Sequence, residues 1–186
     1  LHFRSYYFDR LNPGDVTNAA WAAGGWVGYR SGWIGDVLRF GDTTLRLHHH
    51  GVAHTEADLC MEVVEDRLVY VGDVAMNGRI ANMDDGSYVG TLKAFDALER
   101  DVPGALWVPG HGHASRTLLV EQRELFAGIY RNALAAVKAG EDEAAARRRV
   151  LADPAVAKHA ARTQGWDGNI GKYVSLAYLE AEKEAF

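Results

Sequence analysis

Three residues in the middle of this 186-residue chain have the types and placement that bind a divalent metal: His54, Asp73 and His111. Each follows an apolar, strand-like run and has a glycine close by. The three stretches are His50-Gly51-Val52-Ala53-His54-Thr55, Leu68-Val69-Tyr70-Val71-Gly72-Asp73 and Trp107-Val108-Pro109-Gly110-His111-Gly112-His113. A buried strand makes a rigid base, and glycine lets the backbone turn sharply, so imidazole or carboxylate projects from one edge of a sheet. Imidazole nitrogen and carboxylate oxygen suit zinc or a similar ion without help from cysteine. The spacing therefore predicts three strand ends aimed at one point.

The elements that must position these residues are legible in outline. Trp33 to Phe40 and Thr43 to His50 read as strands joined by Gly41-Asp42, and Leu59 to Val64 and Arg67 to Val71 as a second hairpin about Glu65-Asp66. Alternation in Thr43 to His50 places Leu45, Leu47 and His49 on one face and Arg46, His48 and His50 on the other. The aperiodic stretch Val74 to Ser87 leads to a helix over Tyr88 to Arg100, capped by Ser87 or Asp85, and then to a short strand, Ala105 to Val108. Strand, loop, helix and strand is an α/β return to the same sheet. Beyond His113 the pattern is helical: Thr117 to Ala139 with Ser115 as cap and Gly140 as stop, Asp142 to about Ala152, a third helix opened by Asp153-Pro154, and a last amphipathic one from Asn169. Residues Leu1 to Gly35 are rich in aromatics and glycine and keep no long period; Val16 to Ala23 reads as a short helix or irregular segment, followed by loop.

Composition bounds the possibilities. At 48% hydrophobic and 24% charged residues the chain can bury a core, and no linker or repeat divides it. The net charge is −5, and the one dense basic run, Arg147-Arg148-Arg149, shares a helix with Glu141 to Glu143, which argues against nucleic acid. No apolar run approaches the roughly 20 residues of a membrane span, and no cleavable signal is visible, so a soluble chain is expected, cytoplasmic or periplasmic. Its start at Leu1 reads as the middle of a longer sequence. The single cysteine, Cys60, reads as a buried, inert thiol.

The string Gly51-x-x-His54-Thr55-x-x-Asp58, then Val71-Gly72-Asp73, then Val108-Pro109-Gly110-His111-Gly112 resembles the second half of the metallo-β-lactamase superfamily of metal-dependent hydrolases. The resemblance covers Trp33 to Ser115, and the helical tail is similar to that of bacterial members. By this resemblance His54 is a ligand of a first metal, Asp73 a bridging ligand with a catalytic part, and His111 a ligand of a second metal. Asp58 and Thr55 orient His54 from behind. The family's H-x-H-x-D-H motif is absent from the chain. His48-His49-His50 lacks its Asp-His pair and reads as alternating sheet residues near the pocket rim. Asn77 and Arg79, in the loop leaving Asp73, are candidates to hold an anionic substrate group, with Trp33 and Tyr29 as an apolar wall.

The implied fold class is α/β, the C-terminal half of an αββα sandwich with a mostly antiparallel sheet and a helical tail. Residues 1–186 are expected to be one N-terminally incomplete domain, with an aromatic opening segment at 1–35, the sheet and ligand loops at 36–114 and the tail at 115–186. The implied function is hydrolysis of an ester, thioester, amide or phosphoester in a small-molecule substrate by a hydroxide held on zinc, with iron or manganese as other ions. Half of a ligand set makes this chain alone inactive or weakly active. The alternative is a non-catalytic fragment or binding module that keeps the fold without a complete metal site. Phe3, Tyr6, Tyr7, Phe8, Trp26 and the inward face of Leu45 to Val64 should form an apolar surface, covered by the missing N-terminal half or by another copy of the chain.

Overall fold

In the computed structural model of the chain, period-two alternation builds a five-stranded sheet with the order β3-β4-β5-β6-β7. The structure describes the backbone of 2–12 and 16–26 and all of 37–185. The sheet strands are β3 (Val37–Phe40), β4 (Thr43–His48), β5 (Cys60–Val63), β6 (Leu68–Gly72) and β7 (Leu106–Pro109). The first four pair antiparallel and β7 joins β6 in parallel, so the described residues form an α/β fold with a mixed sheet.

Two units can be separated, Leu1–Trp33 and Ile34–Phe186. The first contains a hairpin, β1 (His2–Asn12) against β2 (Val16–Trp26), paired at every position from His2↔Trp26 to Asn12↔Val16. This corrects the reading of Val16 to Ala23 as a short helix or irregular segment, and of the preceding residues as without a period. Alanine's helix propensity is a weak preference, and a complete set of cross-strand partners overrides it. The side chains of Phe3, Tyr6, Tyr7, Phe8 and Trp26, and the whole of Tyr29 and Trp33, lie outside the described residues.

The register sorts the sheet's side chains onto two faces. Val37, Arg46, Glu62, Val69 and Trp107 lie in one cross-strand row, and Leu38, Leu45, Val63, Leu68 and Leu106 in the adjacent row on the opposite face. The first face is covered: Val69, Val71 and Trp107 are buried with Ala94, Phe95 and Leu98 of α1 (Tyr88–Asp101) and with Leu118 and Leu119 of α2 (Leu118–Lys138). A second core lies within the helices α2, α3 (Glu143–Ala152), α4 (Pro154–Ala160) and α5 (Trp166–Ala185), and it extends to the loop after β6.

Helix starts follow their capping chemistry with two adjustments. Ser87 caps α1, accepting from Gly90 N at 2.9 Å, and Asp142 and Asp153 cap α3 and α4. Ser115, expected to cap α2, instead forms a β-bridge with Trp107 while its hydroxyl accepts from Thr117 N; Thr117 is the residue at the cap. The last helix begins at Trp166 rather than Asn169, whose amide donates back to the Gly165 carbonyl at 2.7 Å.

The stretch Val74 to Ser87 has no period because it is held by tertiary contacts. Val74, Ala75, Met76, Ile80, Ala81 and Met83 are buried, the Tyr173 hydroxyl donates to the Ile80 carbonyl, and Lys172 reaches Asp84 at 2.7 Å. The helix face of α1 is closed in the same way. Glu180 of α5 accepts from Ser87 Oγ, Tyr88 N and Val89 N, satisfying amides that a helix start otherwise leaves open.

Candidate metal-binding edge

Strands β4, β6 and β7 run in one direction, because β5 is antiparallel to both its neighbours and β7 is parallel to β6. Their C-terminal ends therefore share one edge of the sheet, and His54, Asp73 and His111 all lie in turns leaving that edge. The β6 and β7 turns are adjacent. β4 is separated from β6 by β5, about 9.5 Å at two strand spacings.

Asp73 and His111 are brought together. His111 Nε2 stands 3.8 Å from Asp73 Oδ1, and both side chains are about half exposed. Gly110 makes this approach possible: its N–H donates to the Gly72 carbonyl at 2.7 Å, and a Cβ on it would collide with the Asp73 carboxylate. Gly112 has φ +99° and lies against Asn77, so a side chain there is excluded by conformation and by space.

His54 is positioned separately. Asp58 accepts from Thr55 N at 2.6 Å and from Thr55 Oγ1 at 3.0 Å, and its Oδ1 lies 3.8 Å from His54 Nδ1. The His54 turn is backed by the start of α1, where Ser87 N donates to the Ala53 carbonyl and a Cβ on Gly86 would meet the Ala53 and His54 carbonyls. His54 shares the edge with the other two but joins no cluster with them in which three ligand atoms lie within 4.8 Å of one another.

Asn77 acts as a brace. Its amide donates to the His113 carbonyl and accepts from His113 N at 2.7 Å, while its backbone N–H reaches the His111 carbonyl. The loop that carries His111 is thereby pinned to the loop after Asp73. Arg79 points elsewhere: it lines a cleft of about 350 Å³ with Trp166, Asn169 and Tyr173, beside the start of α5.

A group that sequence reasoning passed over lies on the helix-covered face. His48, His50 and Asp101 offer ligand atoms within 4.8 Å of one another. Strand alternation placed both histidines on one face, as found, but nothing local announced that the last residue of α1 would meet them. Burial lowers the His50 pKa below its ordinary value, with the Asp101 carboxylate opposing, so the ring is a neutral imidazole at neutral pH. Cys60 nearby is a buried thiol facing the Val71 carbonyl, and burial, with Asp58 adding to it, pushes its pKa to about 12. It is inert, as its sequence context suggested.

No family model matches the chain, and no curated protein does. Solved structures do match over part of its length. A metallo-β-lactamase from Pontibacter korlensis aligns at 20% identity and a TM-score of 0.47, over 50% of this chain and 46% of its own. VMB-1 aligns at 20% identity and a TM-score of 0.42, over 50% of this chain and 44% of its own. TMB-1 aligns at 20% identity and a TM-score of 0.45, over 52% and 47% respectively. The chain thus spans about half the length of these structures. Among the described residues no helix is long and apolar enough to cross a membrane.

Proposed function

We propose that the chain is the portion of a metallo-β-lactamase-superfamily hydrolase that bears His54, Asp73 and His111, and that residues 1–186 belong to one domain of that fold. The observation that carries this is the shared sheet edge, with Asp73 and His111 3.8 Å apart. That separation exceeds a hydrogen bond and is a few tenths of an ångström wider than the roughly 3.3–3.5 Å between two donors on one tetrahedral zinc, a gap that a small side-chain rotation closes. The pair therefore fits a shared ion, and His54 would belong to a neighbouring one. When bound, zinc, iron or manganese supplies an activated water and polarises the scissile group.

The chain's own residues prepare that chemistry. Asp58 and Thr55 hold the His54 turn, and Asn77 holds the His111 turn, so the ligands are carried on braced loops. Asp73, half exposed, is open to a substrate as well as to an ion. Arg79 is available for an anionic group of a small-molecule substrate in its own cleft, away from the Asn77 brace. Three ligands remain short of a two-ion set, which supports weak activity for the isolated chain. The partly exposed sheet face, with Phe40 and Tyr70 at the surface, supports completion by a further segment or by a second copy.

The test is zinc binding to the metal-stripped full chain, measured by equilibrium dialysis. Asp73→Ala and His111→Ala should each abolish one equivalent, and Gly110→Ala should weaken the same equivalent by displacing Asp73. Unchanged stoichiometry and affinity in both ligand variants would sink the proposal. Strong zinc-dependent ester hydrolysis by the isolated chain would show instead that the ligand set is complete without further residues.

A further inference from the structure

We propose that His48, His50 and Asp101 form a second divalent-cation site, for zinc or a similar borderline ion, built from residues other than the edge ligands. The two histidines alternate at the end of β4 and so project to one face. Asp101, the last residue of α1, crosses that face to meet them. Among the described residues this is the group of three whose ligand atoms lie within 4.8 Å of one another.

The details of the cluster favour an ion over a simple ion pair. His50 Nε2 is buried and has no hydrogen-bond partner, which is unfavourable for a ring nitrogen unless something else occupies it. Its nearest acid, Asp101 Oδ2, is 3.6 Å away, too far for a hydrogen bond. Two donors on one tetrahedral zinc stand about 3.3–3.5 Å apart, so the spacing observed is nearly that of a shared ion. Asp101 is held in place by Arg100, whose Nε donates to its other oxygen at 2.9 Å.

His48 is prepared for ligation by its neighbours. Its Nε2 lies 2.9 Å from Glu62 Oε2, and an ionised carboxylate can only accept, so Nε2 carries the proton and Nδ1 keeps its lone pair. Arg46 pairs with the same Glu62 oxygen at 3.0 Å and balances its charge. A carboxylate on the far nitrogen is the arrangement that fixes tautomer and ring orientation in metal-bound histidines. Two imidazoles and one carboxylate leave a fourth position for water. An ion here would clamp the end of α1 to the turn that leads into His54.

The experiment uses the metal-stripped full chain carrying Asp73→Ala and His111→Ala, so that the edge proposed above contributes nothing. Zinc chloride is titrated calorimetrically, and cobalt(II) chloride is followed by visible absorption. The expected result is one equivalent of zinc, four-coordinate cobalt bands, and a zinc-dependent rise in Tm. Adding His50→Gln or Asp101→Asn should weaken binding at least tenfold and remove the cobalt bands and the Tm rise. Asp101 is at the surface, so its variant will fold even if His50→Gln does not, which circular dichroism checks. No saturable zinc binding in this background, or binding indifferent to Asp101→Asn, overturns the proposal. Failure of the edge reading looks different: there the wild type and the Asp73→Ala/His111→Ala chain bind the same amount of zinc.

Discussion

On the side of the sheet that meets α1 and α2, Val69, Val71 and Trp107 are at most 1% exposed; on the other side, Leu38, Leu45, Leu47, Met61, Val63, Leu68, Leu106 and Val108 are mostly covered but none is fully buried. Tyr70 on that second face is 44% exposed and Phe40 is 69% exposed, although both carry large aromatic rings. Strands apolar on both faces are the pattern of a sheet covered on both sides. Composition prepares both faces for burial, while the described helices reach one of them. A further layer on the open face, from another segment or another copy, is what the side chains are suited to.

Truncations on the two faces sharpen this comparison most. Phe95→Ala, in the enclosed core against Phe126, should cost about 3–5 kcal/mol in urea denaturation, because it leaves a cavity that rigid neighbours cannot fill. Glu180→Ala should cost about 1–2 kcal/mol by stranding three donors at the start of α1, with a matching loss of helical signal on mild heating. Leu47→Ala on the less covered face should cost less, about 1–2 kcal/mol, since Leu47 is only partly buried and its truncation leaves no enclosed cavity. A Leu47→Ala cost equal to that of Phe95→Ala would mean the open face is already packed in solution. Sedimentation then identifies the cover: if it is a second copy, Leu45→Thr with Val63→Thr should convert a dimer to monomer.

The smallest expected effect is a pH dependence carried by the helical layer alone. His159 is buried, and burial, with Arg162 and Lys158, lowers its pKa below the ordinary value of about 6.5. The unfolded chain then binds the proton more readily than the folded one. Its contribution is fully present above pH 6.5 and is lost progressively as pH falls from there through the lower folded value. His159→Gln should flatten this part of the stability curve between pH 7 and 5, measured by chemical denaturation at fixed salt, without touching the difference between the faces.

Much of the fold was legible because its signals are local. The Gly41-Asp42 and Glu65-Asp66 turns, the caps at Ser87, Asp142 and Asp153-Pro154, and the 3.6-residue period of α1 each act within a few residues of chain, where sequence order is spatial order. The candidate edge was legible for a related reason: a ligand placed just after a strand is placed at a sheet edge, and Gly110 beside His111 marks a close backbone approach. The helix expected over Val16 to Ala23 was misread because pairing with the distant His2–Asn12 segment outweighs alanine's local preference.

Local sequence alone determined which residues alternate along β4, where α1, α3 and α4 start, and which turns carry His54, Asp73 and His111. Only the tertiary structure decided that Asp73 and His111 meet while His54 is held by Asp58, that Asn77 braces a loop 36 residues away, and that Glu180 caps a helix 92 residues before it. It also decided that Asp101 closes on His48 and His50. Such contacts join residues with no local signal in common. They follow from strand order and helix docking, which are set by the burial of one whole face of the sheet and not by any short stretch of chain.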